Sequence, residues 1–171
     1  GFVNARKPAI MPVGAPRSAA IYIPYDRSIG NMQWTNDDNY LYFTSQSNGG
    51  AVLQRFDMAT RKLEQLTPFA EGAGSYEIEA GKLVYVKTEV ANPFELYMAD
   101  ADAKSQVRIS AFNHTWLQGK KLSYPEKRSF VNSKGLEVDY WVMKPANWQA
   151  GKKYPAILEI HGGPTAMWGP G

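Results

Sequence analysis

The sequence contains no cysteine among its 171 residues. Disulfide bonds, thiol nucleophiles and cysteine-ligated metal sites are therefore excluded. The absence does not fix the compartment, because many secreted proteins also lack cysteine, so the cytoplasm and the periplasm both stay open. Histidine is nearly as scarce, with only His114 and His161, and any histidine-dependent chemistry must use one of these two.

Long runs of one charge sign and long apolar runs are missing as well. The formal net charge is +3, and no lysine and arginine run reaches the length typical of a nucleic-acid patch. No segment approaches the roughly 18 apolar residues of a membrane span. The first six residues have no signal-peptide core, which says little, because the chain can begin inside a longer gene product. The sequence predicts neither a nucleic-acid partner nor a membrane partner.

Aromatic and turn-forming residues are abundant instead. Aromatic residues make up 13% of the chain, with ten Tyr and five Trp, and there are 15 Gly and 11 Pro. This composition favours strands and turns over helices. Prolines at positions 8, 12, 16 and 24 break any helix near the start, and residues 19–23 could form one short strand.

An internal repeat with an offset of 42 to 43 residues runs through residues 31–110. Leu41 matches Leu83, Asp57 matches Asp100, and Leu66 matches Ile109. Each copy predicts four short strands, over residues 31–67 and 74–110, which is typical of β-propeller blades. The alternative is an ordinary antiparallel meander. Two blades cannot close a ring, since propellers contain at least four, and residues 1–30 are either irregular or the remnant of a preceding blade.

A different pattern follows the repeat. Residues 111–125 look like a crossing linker. A hairpin is then predicted, with residues 128–131 and 136–143 flanking the turn signal at 132–135. The apolar run Tyr154–Ile160 predicts a buried strand of a parallel sheet. A hairpin followed by a strand that ends in a glycine-rich loop matches the start of an α/β-hydrolase domain, which we assign to residues 126–171. The expected fold is mostly β.

The glycine-rich loop after that strand is the candidate catalytic site. It reads His161, Gly162, Gly163 and Pro164. In α/β-hydrolases a loop of this kind supplies a backbone N–H to the oxyanion hole, and losing one such donor typically costs about 3–4 kcal/mol of transition-state stabilisation. The alternative is a tight turn with His161 as a hydrogen-bonded structural residue.

Carboxylates elsewhere have simpler interpretations. Four aspartates occupy turn positions, where their side chains cap the backbone without metal or catalysis: Asp37, Asp38, Asp57 and Asp100. Four glutamates could form an acidic amine-binding cluster, but solvent-facing strand positions explain them better: Glu77, Glu79, Glu89 and Glu95.

The remaining candidates are structural. His114 is expected to be structural or on the surface. Five aromatic residues are expected in the blade core or in cross-strand pairs: Trp34, Tyr42, Phe43, Tyr85 and Tyr97.

The order of several short motifs carries a family resemblance from about residue 26 to residue 171. The motifs are Asp26-Arg27-Ser28 before Trp34, Phe112-Asn113, Trp116-Leu117, Ser123, Pro125-Glu126, residues 135–138, 141–145, 152–156 and 161–164, and Trp168-Gly169. With these motifs the chain resembles the prolyl oligopeptidase family of serine peptidases, closest to its acylaminoacyl-peptidase branch.

The resemblance implies a propeller that restricts access to a hydrolase domain. Such an enzyme would cleave oligopeptides, or release N-terminal dipeptides or acylated residues, through a Ser-His-Asp acyl-enzyme mechanism without metal or organic cofactor. The family's G-x-S-x-G nucleophile motif does not occur in residues 1–171, and neither histidine holds the triad position. The chain alone is therefore expected to be inactive.

The expected partners follow from the same resemblance. They are a peptide substrate in the parent enzyme, and either the remaining part of that enzyme or other copies of this chain. The alternative function is a non-enzymatic, propeller-like binding or scaffold module that recruits a partner through exposed strand edges.

Overall fold

A computed structural model describes residues 7–162 and 167–169. Its strands are numbered β1 to β12 in chain order. Within the described residues the helical elements are a single 3-10 turn at Arg17–Ala19 and a four-residue helix, α1, at His114–Leu117. Neither is long or apolar enough to cross a membrane. The described chain is thus built almost wholly from antiparallel strands.

The first copy of the repeat forms a four-stranded antiparallel sheet in the order β3-β4-β5-β6. The strands are Ile29–Trp34, Tyr40–Ser47, Gly50–Asp57 and Leu63–Gln65. Asp37 Oδ1 accepts hydrogen bonds from the backbone N–H of Asn39 at 3.1 Å and from the Thr35 hydroxyl at 2.6 Å. This confirms the first predicted blade and the turn-capping role of Asp37.

The second copy repeats the arrangement in the order β7-β8-β9-β10. Its strands are Gly72–Glu79, Lys82–Glu89, Asn92–Asp100 and Val107–Arg108. Asp57, which closes the first copy, accepts from the backbone of Ala59 and Thr60 at 2.8 and 3.0 Å. Its counterpart Asp100 instead pairs with Lys82 Nζ at 2.7 Å. The second blade is therefore confirmed, but the Asp100 carboxylate forms an ion pair across the strands instead of the predicted turn cap.

One hydrophobic core joins the two blades. It contains Tyr42 and Leu53 of the first sheet and Tyr76, Leu83 and Tyr85 of the second. Hydrogen bonds cross the same boundary: the Tyr42 hydroxyl donates to the Ala101 carbonyl at 2.7 Å, and the Gln33 amide donates to the Tyr76 carbonyl at 2.8 Å. The sheets therefore pack as adjacent blades.

The five aromatic residues lie in the blade core or in cross-strand pairs, as expected. Tyr42, Phe43 and Tyr85 are buried, and Tyr97 packs against the shared core. Trp34 is 42% exposed and is not a core residue, but it pairs across the strands with Leu41, which is the other role expected for these aromatic residues. It is the last residue of β3, an edge strand of its sheet, and a strand end at a sheet edge has fewer neighbours to cover it.

The N-terminal residues cover the other face of the first blade. Strands β1 (Ala9–Ile10) and β2 (Ile21–Tyr22) pair antiparallel. Ile23 joins Leu41, Phe43 and Phe56 in a second core, with Ile10 and Ile21 packed against it. Because side chains alternate along β4, Leu41 and Phe43 face this core while Tyr42 faces the other. The first blade is thus covered on both faces.

The predicted hairpin is also confirmed. Strands β11 (Pro125–Val131) and β12 (Glu137–Met143) pair antiparallel from Pro125 opposite Met143 to Val131 opposite Glu137. In the connecting loop, Asn132 Oδ1 accepts from the backbone N–H of Lys134 at 2.9 Å and of Leu136 at 3.0 Å. The asparagine closes the turn in the way the sequence signal indicates.

The buried strand predicted over Tyr154–Ile160 is not formed. None of these residues is in a strand, and Ile157, Leu158 and Ile160 are 97%, 84% and 84% exposed. A β-strand exists only when a neighbouring strand accepts and donates its backbone hydrogen bonds. No described strand pairs with this segment, so its apolar residues do not form part of a sheet among the described residues.

Candidate active site

The segment that ends at the glycine loop presents its backbone to open space. His161 and Gly162 are both exposed, and a Cβ placed on Gly162 would meet no atom within 4 Å. A glycine without a close neighbour lets a ligand approach the main chain directly. Gly163, the third predicted site residue, lies outside the described residues. The described half of the loop is therefore accessible to a substrate carbonyl.

The His161 ring is held by an aromatic neighbour. It stacks on the indole of Trp168 with ring centroids 5.4 Å apart and an interplanar angle of 6°. Its Nδ1 lies 3.2 Å from the Gly162 carbonyl oxygen. Within the described residues it has no carboxylate partner, so this histidine lacks the acid that orients a triad base. The stack on Trp168 and the contact with the Gly162 carbonyl oxygen fix the orientation of the His161 ring.

The segment after the loop rests on the first blade. The backbone N–H of Gly49 donates to the Met167 sulfur at 3.0 Å. Gly169 lies against the same turn, so closely that a Cβ on it would overlap the Gly49 backbone. The chain on the two sides of the glycine loop therefore differs in its contacts. Ile160 pairs with no described strand, whereas Met167 and Gly169 contact the first blade.

The turn that receives this segment has a fixed shape. Ser47 pairs with Gly50, which leaves a two-residue loop of Asn48 and Gly49 with φ values of 49° and 86°. An Asn-Gly pair with both φ positive is the preferred type I′ hairpin turn. Behind it, a Cβ on Gly50 would lie 2.9 Å from the Phe69 carbonyl carbon, so the turn is also packed tightly from below.

A buried ionic cluster lies in the same part of the molecule. Lys87 Nζ is 2.8 Å from Glu71 and 3.0 Å from Glu89, and it lies 4.8 Å from the centre of the Tyr97 ring. Burial lowers the pKa of Lys87, but the hydrogen bonds and charges of the two carboxylates outweigh burial and raise that pKa overall. Lys87 is therefore a structural cation, fully charged at neutral pH.

Glu95 is not the solvent-facing residue that the sequence indicates. It is fully buried. Its carboxylate accepts from the Ser110 hydroxyl, from the backbone N–H of Phe112 at 3.1 Å and of Asn113 at 2.9 Å, and from the Asn113 amide at 3.3 Å. These donors leave it no capacity to bind a substrate amine. Instead, Glu95 fixes the direction in which the chain leaves the second blade.

The other acidic candidates do not form an amine site either. Glu77 and Glu79 are exposed, as expected for solvent-facing strand residues, and Glu79 accepts from the Asn36 amide at 3.0 Å. Glu89 pairs with Lys87. In the described ranges no group of three or more histidines and carboxylates is arranged to hold a metal ion.

His114 is on the surface, as expected. It is the first residue of α1 and is exposed, with its Nε2 3.0 Å from Gln118 Nε2. A cavity of about 380 Å³ lies elsewhere, between the N-terminal strands and the first blade, lined in part by Ile23, Ile29 and Leu41. Neither feature touches the glycine loop.

Sequence reasoning missed two structural features, the stack of Trp168 on His161 and the burial of Glu95. Trp168 belongs to the motif set, yet nothing in a sequence shows that its ring covers His161. Glu95 had a detectable signal, because it alternates with Tyr97 and Ala99 on one face of β9, and those two face the core. A carboxylate on a buried face must find hydrogen-bond donors, and Glu95 finds them in the segment that follows the blade.

The chain is similar to known peptidases, although no family model matches it. It is 24% identical over 140 residues to dipeptidyl-peptidase 5 of Porphyromonas gingivalis, covering 82% of this chain and 20% of that protein. It is 26% identical over 153 residues to dipeptidyl-peptidase 5 of Aspergillus fumigatus, covering 86% and 21%. The chain spans about a fifth of the length of these relatives.

Two solved structures superpose on most of this chain. An acylaminoacyl peptidase in complex with Z-Gly-Gly-Phe-chloromethyl ketone superposes with a TM-score of 0.74 at 26% identity, covering 88% of this chain and 23% of that one. The acylaminoacyl peptidase of Pyrococcus horikoshii gives 0.73 at 25% identity, covering 89% and 23%. The fold is thus that of a partial β-propeller followed by the first strands of an α/β-hydrolase domain. These similarities support a serine peptidase of the prolyl oligopeptidase family, of which this chain is a part.

Proposed function

We propose that the whole protein hydrolyses short peptides by a serine acyl-enzyme mechanism, and that these 171 residues supply part of its propeller and one wall of its oxyanion hole. The observation that carries the proposal is the continuity of the chain: two blades lead through the Glu95 contacts and a hairpin into an exposed glycine loop. The acylaminoacyl peptidase in complex with a peptide-like ligand superposes over 88% of the chain.

The chain's own contribution to catalysis is electrostatic. In acyl transfer the substrate carbonyl oxygen becomes negative in the tetrahedral intermediate, and aimed backbone N–H groups stabilise that charge. We assign this role to the main chain of Gly162 and Gly163, with His161 holding the loop through its stack on Trp168. The nucleophile, its base and the orienting acid would come from residues other than these 171.

The domain division is part of the same proposal. We assign residues 1–30 to a remnant of a preceding blade, of which strands β1 and β2 cover the first blade, and residues 31–110 to two blades that restrict access. Residues 111–125 cross over, and residues 126–171 begin the catalytic domain. In support, hydrogen bonds to Glu95 come from residues 110–113, where the propeller portion ends, and the hairpin begins at Pro125.

The proposed substrate is a peptide, and the relatives narrow its class. Two relatives are named dipeptidyl-peptidase 5, and the superposed structures are acylaminoacyl peptidases. Removal of an N-terminal dipeptide and removal of a blocked N-terminal residue are therefore the two reactions to compare, with internal cleavage of an oligopeptide as the third.

A three-substrate panel tests the proposal. The complete gene product is incubated with a peptide that has a free N-terminus, with its N-acetylated counterpart, and with a peptide blocked at both ends, and the products are identified by mass. We expect hydrolysis of at least one substrate, with loss of activity after treatment with a serine-directed fluorophosphonate. A protein that binds all three peptides and hydrolyses none would favour the non-enzymatic binding module instead.

A further inference from the structure

The contact between the first blade and the segment after the glycine loop joins two parts of the chain that are distant in sequence. Gly49 and Met167 are 118 residues apart in sequence, and the backbone N–H of one donates to the sulfur of the other. Gly169 packs on the same turn. We infer that the Asn48–Gly49 turn is an anchor that holds the His161–Gly162 loop in position, with Met167, Trp168 and Gly169 as positioning residues.

The turn is suited to act as a fixed point. Both of its residues have positive φ, as a type I′ hairpin requires, and eight cross-strand pairs hold β4 and β5 together behind it. The backbone of Phe69 and Glu71 closes on Gly50 from the far side. The turn is therefore constrained both by its own hairpin and by the segment containing Phe69 and Glu71, and it cannot shift without disturbing the blade.

Trp168 connects the anchoring turn to the His161–Gly162 loop. It lies between Met167 and Gly169, which both contact Gly49, and its indole stacks face to face on the His161 ring. Stacked aromatic pairs contribute beyond their buried area. A Cβ placed on Gly162 would meet no atom within 4 Å, so the inferred anchor would limit the motion of this backbone through the stack on the preceding residue.

The consequence for catalysis rests on the proposed function. A donor in an oxyanion hole is effective only if it is aimed before the reaction, and a displacement of about 1 Å can cost about 100-fold in rate. Releasing the anchor should therefore lower kcat while leaving KM nearly unchanged, because the peptide is bound mainly by other parts of the enzyme.

Hydrogen exchange on the complete gene product tests the anchor independently of activity. Gly169→Ala introduces a methyl group that the Gly49 backbone cannot accommodate. Gly30→Ala is the control, because its new methyl group would lie 3.8 Å from Thr44 Oγ1, an ordinary contact. We expect faster exchange in Gly169→Ala, and not in Gly30→Ala, in peptides covering residues 46–51 and 158–162. Unchanged exchange in either peptide would overturn the inference.

Kinetics with a hydrolysed peptide test the consequence. Trp168→Ala should lower kcat by about 10-fold to 100-fold with KM changed by less than about threefold, and Trp168→Phe, which keeps a stacking ring, should recover most of the rate. Trp148→Ala removes another partly exposed indole and should leave both constants unchanged. Equal loss in Trp168→Ala and Trp148→Ala, or no loss in Trp168→Ala, would contradict a positioning role.

The two measurements separate the two claims. If the wild-type protein hydrolyses no peptide, the proposed function fails, and the exchange data alone decide whether the blade anchors the loop. If the wild type is active and Gly169→Ala loosens both peptides without lowering kcat, the contact exists but does not position the loop for catalysis, and the inference is wrong.

Discussion

Tyr42 and Tyr85 lie in the same core, and they differ in what their hydroxyl groups contact. Tyr42 donates to the Ala101 carbonyl at 2.7 Å, whereas the Tyr85 hydroxyl is buried with no hydrogen-bond partner among the described residues. Burial raises the pKa of both groups, that of Tyr85 to about 12. Both phenols therefore stay neutral at physiological pH and act only through their hydrogen bonds and packing.

Removing these two hydroxyls should have unequal effects on stability. Tyr42→Phe loses a hydrogen bond and leaves the Ala101 carbonyl without that donor, so we expect a loss of about 1 kcal/mol in the free energy of unfolding. Tyr85→Phe removes a buried group that has no partner, so we expect no loss or a small gain. Denaturant titration of both variants is the measurement, and an equal loss in the two would contradict this account.

Glu95 should make stability depend on pH. The Ser110 hydroxyl, together with the backbone of Phe112 and Asn113, holds the pKa of Glu95 below its ordinary value of 4.5 despite burial. A carboxyl whose pKa is lower when folded stabilises the protein above the unfolded pKa. That contribution is lost as the pH falls through the lower folded value.

We therefore expect Glu95→Gln to lower the thermal midpoint by several degrees at pH 7, because an amide group places N–H donors against N–H donors. The gap between this variant and the wild type should shrink as the pH falls below about 4.5. Glu77→Gln, at an exposed position of β7, is the matched control and should leave the midpoint nearly unchanged. A gap that stays constant with pH would show that the carboxylate charge is not involved.

At the scale of strands, the sequence predicts best where local signals and pairing agree. The repeat that matches Leu41 with Leu83 locates both blades, and the Asn132–Gly135 signal locates the hairpin, because these strands pair with their neighbours in sequence. The segment Tyr154–Ile160 fails for the opposite reason: a parallel strand pairs with strands distant in sequence. An apolar pattern shows that a segment can be buried, but it does not show which strand will pair with that segment.

A pair of leucines tests this difference between elements. Leu53 is fully buried in β5, and Leu158 is 84% exposed. In the 171-residue chain, Leu53→Ala should cost about 3 kcal/mol of unfolding free energy, while Leu158→Ala should cost less than about 0.5 kcal/mol. In the complete gene product we expect Leu158→Ala to cost several times more, because the strand then has neighbours. Equal cost in both forms would refute the assignment of this segment to a sheet.

At the scale of the molecule, exposed apolar residues remain the dominant feature of the C-terminal third. Phe130, Val131 and Leu136 of the hairpin region and Ile157 and Ile160 beyond it are each more than half exposed. Such surfaces associate with one another. We predict that the 171-residue chain self-associates in solution and that the complete gene product does so less. Light scattering with native mass spectrometry is the test, and a strictly monomeric chain at high concentration would contradict it.

The glycine loop is recognisable in the sequence as a candidate site, whereas its contacts are not. His161 and Gly162 are identifiable because few segments combine an apolar run with two glycines. The stack on Trp168 and the contact with Gly49 depend on how distant parts of the chain meet, and no local pattern encodes that. We therefore expect the proposed site to depend on the propeller as well as on the loop.

The central claim is that this chain is the propeller-to-hydrolase junction of a serine peptidase whose nucleophile lies elsewhere in the protein. Labelling with a fluorophosphonate, followed by mapping of the modified residue, tests it most directly. We expect the complete gene product to be labelled at one serine outside these 171 residues, with peptide hydrolysis abolished in proportion, and the 171-residue chain to remain unlabelled. A label on any serine of this chain, or no label on an intact, folded gene product, would contradict the account.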